Sequence, residues 1–339
     1  MSLPATYKKL VATKFSKDFR DASEVVEVPF PEPASNEIVI QNYYAGVNAT
    51  DPNISAGLYT PGQTPPIDLG SEVVGVVVAK GSNVDSFKIG DAVMTLTTGG
   101  GYREYSIIQA DRAIPIPAPT PEIMTLVLSG CTASVGLEVT GEMKSGETVL
   151  VTAAAGGTGH IAVQLAKLAG NHVIGTCGTA EKAEMLKQLG CDRVVNYREE
   201  SLDEVLTKEY PRGVNLIYES VGREMFDTCV KHLARFGRLV IIGYVSEYMD
   251  QPEVVTRPRI YSQLLWKSAS IRSMFLPHFF NLLPENLMRL SGLLQSGQLH
   301  IAIDDTVFTG VEECVDAVEY LHSGKSSGKV VVRFPIEMD

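Results

Sequence analysis

The spacing of hydrophobic positions changes about one third of the way along the chain. Residues 1–125 carry short apolar, β-branched runs separated by turns rich in Gly, Pro, Asn and Asp, such as Glu37–Gln41, Val73–Ala79 and Ala92–Leu96. Many short strands with turns between them predict an antiparallel sheet, and we interpret this part of the chain as a partly closed β-barrel.

From about Pro121 the spacing becomes helical, and short apolar runs then alternate with helical segments. Ala180–Leu189 is one predicted helix, and in another Ile161, Leu165 and Leu168 are spaced to share one buried face. This alternation predicts a doubly wound parallel sheet. Its predicted strands are Thr148–Thr152, His172–Thr176, Arg193–Asn196, Asn215–Glu219 and Arg238–Gly243.

The end of the chain predicts one more helix, Val311–Ser323, followed by the loop GKSSGK and the apolar run VVVRF. We expect this last strand to rejoin the N-terminal barrel. The expected domains are therefore residues 1–125, completed by residues 300–339, and residues 126–299.

A glycine-rich turn joins a predicted strand to a predicted helix in TVLVTAAAGGTGHIAVQLAKLAG, Thr148 to Gly170. Such a turn directs backbone N–H groups and the positive end of a helix at a pyrophosphate. Ala154 stands where the first glycine of the dinucleotide pattern is usual, so the pattern is imperfect. We favour dinucleotide binding over a turn that only closes a corner. The residues expected to contact the phosphates are Gly156, Gly157, Thr158 and Gly159.

Charge and cysteine content narrow the possible partners. The net charge is −11, from 29 basic and 40 acidic residues, which argues against nucleic acid or an anionic membrane as the main partner. A scattered, odd set of cysteines without a C-x-x-C pair predicts reduced thiols. For Cys131, which precedes a helical pattern, we favour a buried small residue over a nucleophile. The cysteines are Cys131, Cys177, Cys191, Cys229 and Cys314.

Targeting signals and membrane spans are not expected. We see no run that approaches the roughly 20 apolar residues of a membrane span. The start, MSLPATYKKLVATKF, lacks the apolar core of a secretory leader and does not resemble a mitochondrial leader, and the chain ends in IEMD rather than a peroxisomal signal. A cytoplasmic protein is the expectation.

Five motifs in order along the chain carry a family resemblance: GVNATD (46–51), LGSEVVG (69–75), FKIGDAV (87–93), SGETVLVTAAAGGTG (145–159) and SGKVVV (327–332). Together they resemble the zinc-free branch of the medium-chain dehydrogenase/reductase superfamily. The resemblance implies a GroES-like domain beside a Rossmann domain, and NADPH-dependent reduction of the carbon–carbon double bond of α,β-unsaturated ketones. We also expect a homodimer.

The same motifs predict that zinc is absent from the chemistry. Zinc members of the superfamily place a Cys and a His in the first two motifs, where this chain has Asn48 and Ser71. An amide and a hydroxyl are poor zinc ligands. The lobe with four closely spaced cysteines is also missing, so we expect neither catalytic nor structural zinc.

The end of the second Rossmann strand bears on the choice of cofactor. An NAD enzyme usually has Asp or Glu there, but this chain has Gly178 and Thr179, with no carboxylate before Glu181. Lys182 follows, and a lysine suits the 2′-phosphate of NADPH, although it could be only a solvated helix cation. Tyr197 matches a family tyrosine beside the same phosphate; packing alone is the alternative.

Further cofactor contacts are implied by the resemblance. One follows the fourth Rossmann strand, on the ligand-facing edge of the sheet. Three begin the apolar run MFLPHFF, which is either core, a subunit interface or a wall for a long hydrophobic substrate. The positions implied are Thr132, Ser220, Ile242, Met274, Phe275, Leu276, Ser326, Ser327 and Gly328.

Hydride transfer to an enone places negative charge on the carbonyl oxygen, so the site needs hydrogen-bond donors. Asn48 and Tyr59, both in motifs that border the active site of related reductases, are the candidates. As alternatives, Asn48 only caps a turn, Tyr59 only packs a loop, and a ribose hydroxyl of the cofactor serves as donor. Asp51 is expected to hold the loop.

Three functions remain open on the sequence. The first is an NADPH-dependent reductase of lipid-derived enones such as 15-keto-prostaglandins, and the second is a quinone oxidoreductase. The third is a nucleotide-binding protein without turnover, like the lens crystallins. The glycine turn, Lys182 and Asn48 weigh against the third function.

Overall fold

The chain folds into two compact units, one of which is assembled from both ends of the sequence. The computed structural model describes residues 3–250 and 254–336. The first unit comprises residues 1–128 and 303–339, and the second comprises residues 129–302. The expected boundaries, after residues 125 and 299, each fall three residues earlier. Met1, Ser2 and residues 337–339, which enter the expectations about targeting signals, lie outside the described residues.

Strands dominate the first unit. β3 is the centre of its larger sheet, which runs in the order β15-β16-β3-β5-β6-β8 with β7 also paired to β3; a second sheet has the order β2-β1-β4. The larger sheet has two free ends among the described strands, so the barrel is open. The strands are Thr6–Ala12 (β1), Ser23–Pro29 (β2), Glu37–Gly46 (β3), Ile67–Asp68 (β4), Glu72–Lys80 (β5), Ala92–Leu96 (β6), Tyr105–Gln109 (β7), Ile114–Pro115 (β8), Phe308–Thr309 (β15) and Val331–Arg333 (β16).

The C-terminal strand rejoins the N-terminal sheet, as predicted from the sequence. β16 pairs antiparallel with β3, with Val331 opposite Gly46. On its other side β3 pairs with β5, whose first residues are buried on both faces. Helices at both ends of the chain close the core of this unit. The helices numbered here in chain order are Phe19–Ala22 (α1), Asp51–Ser55 (α2), Pro121–Thr125 (α3) and Cys314–His322 (α11), with 3-10 turns at Ala110–Arg112 and Val311–Glu313.

The second unit contains the doubly wound sheet that the alternation predicts. Its six strands are all parallel and lie in the order β11-β10-β9-β12-β13-β14. From β9 the chain adds β10 and β11 on one side of the sheet, and it then returns to add β12, β13 and β14 on the other side. In such folds the ligand binds where the two halves meet, here between β9 and β12, outside the carboxyl ends of the strands. The strands are Thr148–Val151 (β9), His172–Cys177 (β10), Arg193–Asn196 (β11), Val214–Glu219 (β12), Leu233–Ile241 (β13) and Ser270–Ser273 (β14).

Helices alternate with these strands. Most predicted element ends are accurate to one or two residues, but β13 begins at Leu233 rather than Arg238, and the sequence analysis did not predict β14, because SIRS is short and polar. The helices are Cys131–Ser134 (α4), Gly159–Leu168 (α5), Ala180–Gln188 (α6), Leu202–Glu209 (α7), Arg223–Lys231 (α8), Tyr261–Lys267 (α9) and Leu283–Gln295 (α10), with 3-10 turns at Val245–Glu247 and Leu276–Leu282.

The buried face predicted for α5 is correct at two positions and wrong at one. Ile161 and Leu165 are buried, whereas Leu168 is 48% exposed. Leu168 is the last residue of α5, at the end of the helix that the core no longer covers. Most of the helix is buried on every side, as expected of a helix inside an α/β unit.

One helical run passes the length and composition test for a membrane span, contrary to the expectation. Pro121–Thr140 combines α3 and α4 with wide π turns at Leu126–Gly130 and Val135–Thr140, and its mean hydropathy is 1.5. Because 72% of the most apolar window is buried, we interpret this run as a core helix.

Candidate active site

The glycine-rich turn after β9 packs directly on the start of α5. Ala153 adopts a left-handed φ of 46° as the chain leaves the strand. A Cβ on Gly159 would lie 2.3 Å from the Ala153 carbonyl oxygen and 2.8 Å from the Ala154 Cα, so this glycine is required by the backbone itself. A Cβ on Gly156 would meet only the Ala153 carbonyl oxygen, at 3.3 Å. Internal packing thus restricts Gly156 much less than Gly159, and a glycine at this place in a strand–turn–helix leaves room for a phosphate to approach.

A buried histidine holds this turn. His160 Nε2 accepts a hydrogen bond of 3.1 Å from the Ala302 backbone N–H, so the ring proton is on Nδ1, which donates to the Gly156 carbonyl oxygen over 2.9 Å. Gln164, one turn further along α5, is bonded to both backbone groups of His300, each over 2.8 Å. The sequence analysis missed this anchor, although two polar residues four apart on an apolar helix were a usable signal.

The residues expected to bind the 2′-phosphate meet at the carboxyl ends of β10 and β11. Thr179 caps α6, and its hydroxyl accepts from the Lys182 backbone N–H over 3.3 Å. A Cβ on Gly178 would lie 2.6 Å from the Tyr197 hydroxyl, so the ring of Tyr197 lies over this glycine. Tyr197 is half exposed, and Lys182 lies in the first turn of α6, where the positive end of the helix also favours an anion.

A buried carboxylate lies at the point where the strand order reverses. The Thr152 hydroxyl, just after β9, accepts from the Ser220 N–H over 2.8 Å. Glu219 is 1% exposed and accepts from the N–H groups of Val221 and Gly222 over 2.8 and 3.1 Å. Burial raises the pKa of Glu219 above its ordinary value, against these hydrogen bonds. Glu219 therefore holds the loop that presents Ser220, a role the sequence analysis did not identify.

The segment after β14 is apolar in composition, but only some of its side chains are buried. The Met274 N–H donates to the Ile241 carbonyl oxygen over 3.0 Å, next to Ile242. Met274 and Leu276 are buried, whereas Phe275 is 41% exposed and its ring contacts His278 edge-on. Met274 and Leu276 thus belong to the core, whereas Phe275 is available for either of the other two roles considered for this run, a subunit interface or a substrate wall.

Thr132 lies in α4 and is half-buried, beside the fully buried Cys131. All five cysteines are buried thiols that form no disulfide. Burial raises the pKa of Cys191 to about 12 and that of Cys229 well above its ordinary value. Thiols with raised pKa values are poor nucleophiles. For Cys131 it is the complete burial of the side chain that agrees with the buried small residue expected there.

In the first unit, Asn48, Glu72 and Lys329 form a buried polar group that we call the Lys329 cluster. The Lys329 ammonium donates to Asn48 Oδ1 over 2.7 Å and to Glu72 Oε1 over 2.5 Å. Lys329 is 2% exposed and Glu72 is fully buried. The three residues converge because β3 pairs with both β5 and β16, and a Cβ on Gly46 would lie 2.2 Å from Glu72 Oε1.

The structure changes the interpretation of Asn48. Its amide nitrogen donates to Glu72 Oε1 over 3.1 Å and to the Gly46 carbonyl oxygen over 3.2 Å. Asn48 is thus part of the Lys329 cluster, a set of contacts that the sequence did not indicate. Its backbone N–H also donates to Asp51 Oδ2 over 2.8 Å, so Asn48 begins a turn as well.

Asp51 holds the loop, as expected. Its Oδ2 also accepts from the Tyr102 hydroxyl over 2.5 Å, and both residues are buried. Burial raises the pKa of Asp51 to about 7, against the hydrogen bonds from Tyr102 and Asn48. Asp51 therefore changes charge near neutral pH.

Two further parts of the first unit were expected at the site, Tyr59 and the loop Ser326–Gly328. Tyr59 is partly buried against the core of this unit, as in the packing alternative. The Ser327 N–H donates to Asp304 Oδ2 over 2.7 Å, and Gly328 has a φ of 78°. Ser326 and Ser327 are half-buried, so the loop before β16 is held in place while part of it stays accessible.

The residues at the zinc positions do not fit zinc. Asn48 offers an amide that is already bonded to an ammonium, and Ser71 is a buried hydroxyl. Among residues 3–250 and 254–336, no group of three or more His, Cys, Asp or Glu side chains is placed to hold a metal ion. A divalent cation beside Lys329 would also meet like charge.

Sequence reasoning missed Lys329 and Glu72, although both lie in the motifs that carry the family resemblance. Glu72 opens the apolar strand EVVGVVVA, and Lys329 precedes VVV. A charged residue joined to a buried strand needs a partner, so each was a usable signal for the other.

A parallel sheet with a glycine turn after its first strand, in a chain that also forms an open antiparallel barrel, defines a nucleotide-dependent oxidoreductase. Residues 34–118 match the alcohol dehydrogenase GroES-like domain, and residues 157–291 match the zinc-binding dehydrogenase family. The chain belongs to the medium-chain dehydrogenase/reductase superfamily.

Two curated relatives and one solved structure illustrate the similarity. Prostaglandin reductase-3 of Mus musculus is 43% identical over 344 residues, which cover 98% of this chain and 91% of that protein. A probable quinone oxidoreductase of Leishmania amazonensis is 44% identical over 339 residues, covering 98% and 99%. The crystal structure of Escherichia coli quinone oxidoreductase complexed with NADPH has a TM-score of 0.85 and 32% identity, covering 96% of this chain and 99% of that one.

Proposed function

We propose that this oxidoreductase reduces the carbon–carbon double bond of α,β-unsaturated ketones with NADPH. NADPH is the cofactor, since the similar Escherichia coli enzyme binds it and the glycine turn of this chain fits a pyrophosphate. The end of β10, with Thr179, Lys182 and Tyr197 and no nearby carboxylate on the strand, favours the 2′-phosphate over a free ribose hydroxyl.

The contacts proposed for NADPH follow its length. Gly156 to Gly159 hold the pyrophosphate, and Ser220 lies where the ligand crosses the sheet edge. On the family resemblance, we propose that the nicotinamide end of the cofactor contacts Thr132, Ile242, the Met274–Leu276 segment and the Ser326–Gly328 loop.

The observation that carries the reaction type is the Lys329 cluster. Reduction of a carbonyl to an alcohol is commonly assisted by a Lewis acid, and the donor set around Asn48 does not fit a metal. An amide polarised by an ammonium is instead suited to a delocalised enolate oxygen. Both Asn48 amide bonds, at 3.1 and 3.2 Å, are at the long end for N–H···O, and we propose that one of them is exchanged for a bond to the enolate oxygen.

When bound, NADPH supplies a hydride from its nicotinamide ring. As the β-carbon of the substrate accepts the hydride, the electron pair of the double bond moves through the α-carbon to the carbonyl oxygen. Asn48 stabilises this enolate, with Tyr59 proposed as a second donor. A proton from water then adds to the α-carbon and gives the saturated ketone.

Lipid-derived enones such as 15-keto-prostaglandins are the proposed substrates. The similarity to prostaglandin reductase-3 of Mus musculus supports this choice, as does Phe275, a large exposed apolar side chain in the segment proposed for the substrate wall. An apolar surface with few polar groups suits a long hydrophobic ligand.

Oxidation of NADPH with an enone, an alkenal and a quinone tests the proposal. We expect the enone to be turned over, and mass and NMR analysis to identify the saturated ketone. An allylic alcohol as product would refute double-bond reduction. Asn48→Ala should lower kcat about 100-fold or more, the typical cost of one oxyanion donor, with little change in the Kd for NADPH.

A quinone oxidoreductase is the second candidate. The Leishmania amazonensis and Escherichia coli relatives carry that name. A quinone also accepts a hydride without a metal, so the Lys329 cluster serves either reaction. The same panel distinguishes them, because kcat/KM is expected to be higher for the enone.

We further propose that the reaction is independent of zinc. The purified protein should contain no stoichiometric zinc, and chelators should leave its activity unchanged. One tightly bound zinc per chain, with activity lost on removal, would contradict this.

A further inference from the structure

The Lys329 ammonium is buried beside the proposed enolate donor but does not face solvent. It is 2% exposed, against 6% for Asn48, so Asn48 is the more accessible member of the cluster. Lys329 donates to the carboxamide oxygen over 2.7 Å, so the amide nitrogen is the donor end, which in this structure bonds to Glu72 Oε1 and the Gly46 carbonyl oxygen. The direction of the Asn48 carboxamide is therefore fixed by the ammonium, because the reversed amide would oppose N–H to N–H.

A second effect is electrostatic. A hydrogen bond from a cation to a carbonyl oxygen draws charge from the amide and strengthens its N–H groups as donors. The ammonium is held by Glu72, which is fully buried, and Glu72 Oε1 is shared between Lys329 at 2.5 Å and the Asn48 amide at 3.1 Å. The shorter bond goes to the ammonium, so the amide is the weaker partner of this carboxylate.

We infer that Lys329 is a positioning residue, which orients and polarises the Asn48 carboxamide for the enolate oxygen. This inference rests on the proposed function. It assigns Lys329 a role in turnover beyond that of a counter-ion for a buried carboxylate. Lys329 takes no part in proton transfer here and does not touch the substrate.

A single change at Lys329 is a poor test, because Lys329→Met leaves the Glu72 carboxylate buried without its counter-charge, and such losses are strongly destabilising. Glu72→Gln with Lys329→Met removes both charges and keeps the side-chain lengths similar. Glu72→Gln alone keeps the lysine but leaves it without its counter-charge, so its Tm is measured first and, where it folds, its kcat is the reference beside that of the wild type. Val330→Ala, at a fully buried neighbour of Lys329, is the matched control for lost packing.

We expect the double variant to have a kcat about 10- to 100-fold below that of Glu72→Gln, with the Kd for NADPH changed less than threefold. Val330→Ala should lower the Tm without a comparable fall in kcat. Adding Asn48→Ala to the double variant should lower kcat by less than a further threefold, because Lys329 acts through Asn48. The same Asn48→Ala change in the wild type should lower kcat by a much larger factor.

A double variant with the kcat of Glu72→Gln would overturn the inference, since Lys329 would then only neutralise Glu72. An equal loss on adding Asn48→Ala to the double variant and to the wild type would also overturn it. A wild type that reduces neither enone nor quinone would refute the proposed function, and the inference with it. Wild-type turnover with an unaffected double variant leaves the proposed function intact and refutes the inference alone.

Discussion

At the scale of single residues, the positive charge at the start of α6 bears on the choice between NADPH and NADH. Lys182 lies at the positive end of α6, next to the capping residue Thr179. An anion there is stabilised both by the helix end and by the lysine. The 2′-phosphate of NADPH is such an anion, whereas NADH has a hydroxyl at the same position.

Lys182→Ala is therefore expected to weaken NADPH binding roughly 10- to 150-fold, the cost of one charge-assisted contact, and to leave NADH binding nearly unchanged. Titration with each cofactor measures this. Lys187→Ala, in the last turn of the same helix, is the matched control and should alter neither affinity. An equal loss for both cofactors would assign Lys182 to the fold instead.

Asp51 gives a pH-dependent prediction. Burial raises its pKa from 3.8 to about 7, so between these values the folded chain binds a proton that the unfolded chain has released. The stabilising contribution of this protonated carboxyl is complete below about pH 4 and is lost as the pH rises through 7. Since one proton is involved, the free energy of unfolding falls by up to about 1.4 kcal/mol per pH unit.

Asp51→Asn keeps the acceptor oxygen for Asn48 and Tyr102 without the titration. Chemical denaturation of both proteins from pH 5 to 8 should show the wild type losing stability relative to the variant. A difference that is constant across this range would mean that Asp51 does not titrate there. Other buried carboxylates such as Glu219 cancel in the comparison.

At the scale of elements, the turn between β9 and α5 contains two glycines, Gly156 and Gly159, that we expect to serve different purposes. Gly159 is needed by the protein itself, since a Cβ there would meet backbone atoms at 2.3 and 2.8 Å. Gly156 is not, since its Cβ would make one contact at 3.3 Å. The difference predicts that fold and cofactor binding respond to different substitutions.

Gly159→Ala should lower the free energy of unfolding by about 1–3 kcal/mol or more even without cofactor, because the helix start must move. Gly156→Ala should change it by less than about 1 kcal/mol but weaken NADPH binding at least tenfold. Thermal unfolding without cofactor and NADPH titration measure the two effects. If Gly156→Ala binds NADPH normally, the turn does not contact the pyrophosphate.

At the scale of the whole molecule, the expected homodimer remains a prediction. α9 exposes several large apolar side chains on one side, and Trp266 is 84% exposed. The neighbouring β14 is the last strand of its sheet among the described residues. An exposed apolar patch beside a sheet edge is typical of an interaction surface. The exposed residues of α9 are Tyr261, Leu265 and Trp266.

If a second copy covers this surface, Trp266→Glu should shift the protein from dimer to monomer. Light scattering coupled to size exclusion measures the mass. Met288→Glu, at a residue of α10 that is 78% exposed, is the control and should leave the dimer intact. A monomeric wild type would refute the homodimer.

The sequence by itself determined the order of elements. Strands such as β9 and β10 are short, largely apolar runs, and they are recognisable because a central parallel strand is buried on both faces. The glycine turn was also recognisable, because it has to be local in sequence. The phosphate site proposed at the end of β10 rests likewise on local sequence, because Gly178, Thr179 and Lys182 directly follow the strand.

Only the tertiary structure decided how Asn48 is used. Its partners Glu72 and Lys329 are 24 and 281 positions away in the chain, and they meet through the register of β3 with β5 and β16. A strand pattern predicts which residues face inward but not which strand lies beside it or in what register, because pairing is set by long-range packing and hydrogen bonds. For this reason the sequence offers Asn48 as a candidate donor or a turn cap, but not the buried ammonium and carboxylate that hold it.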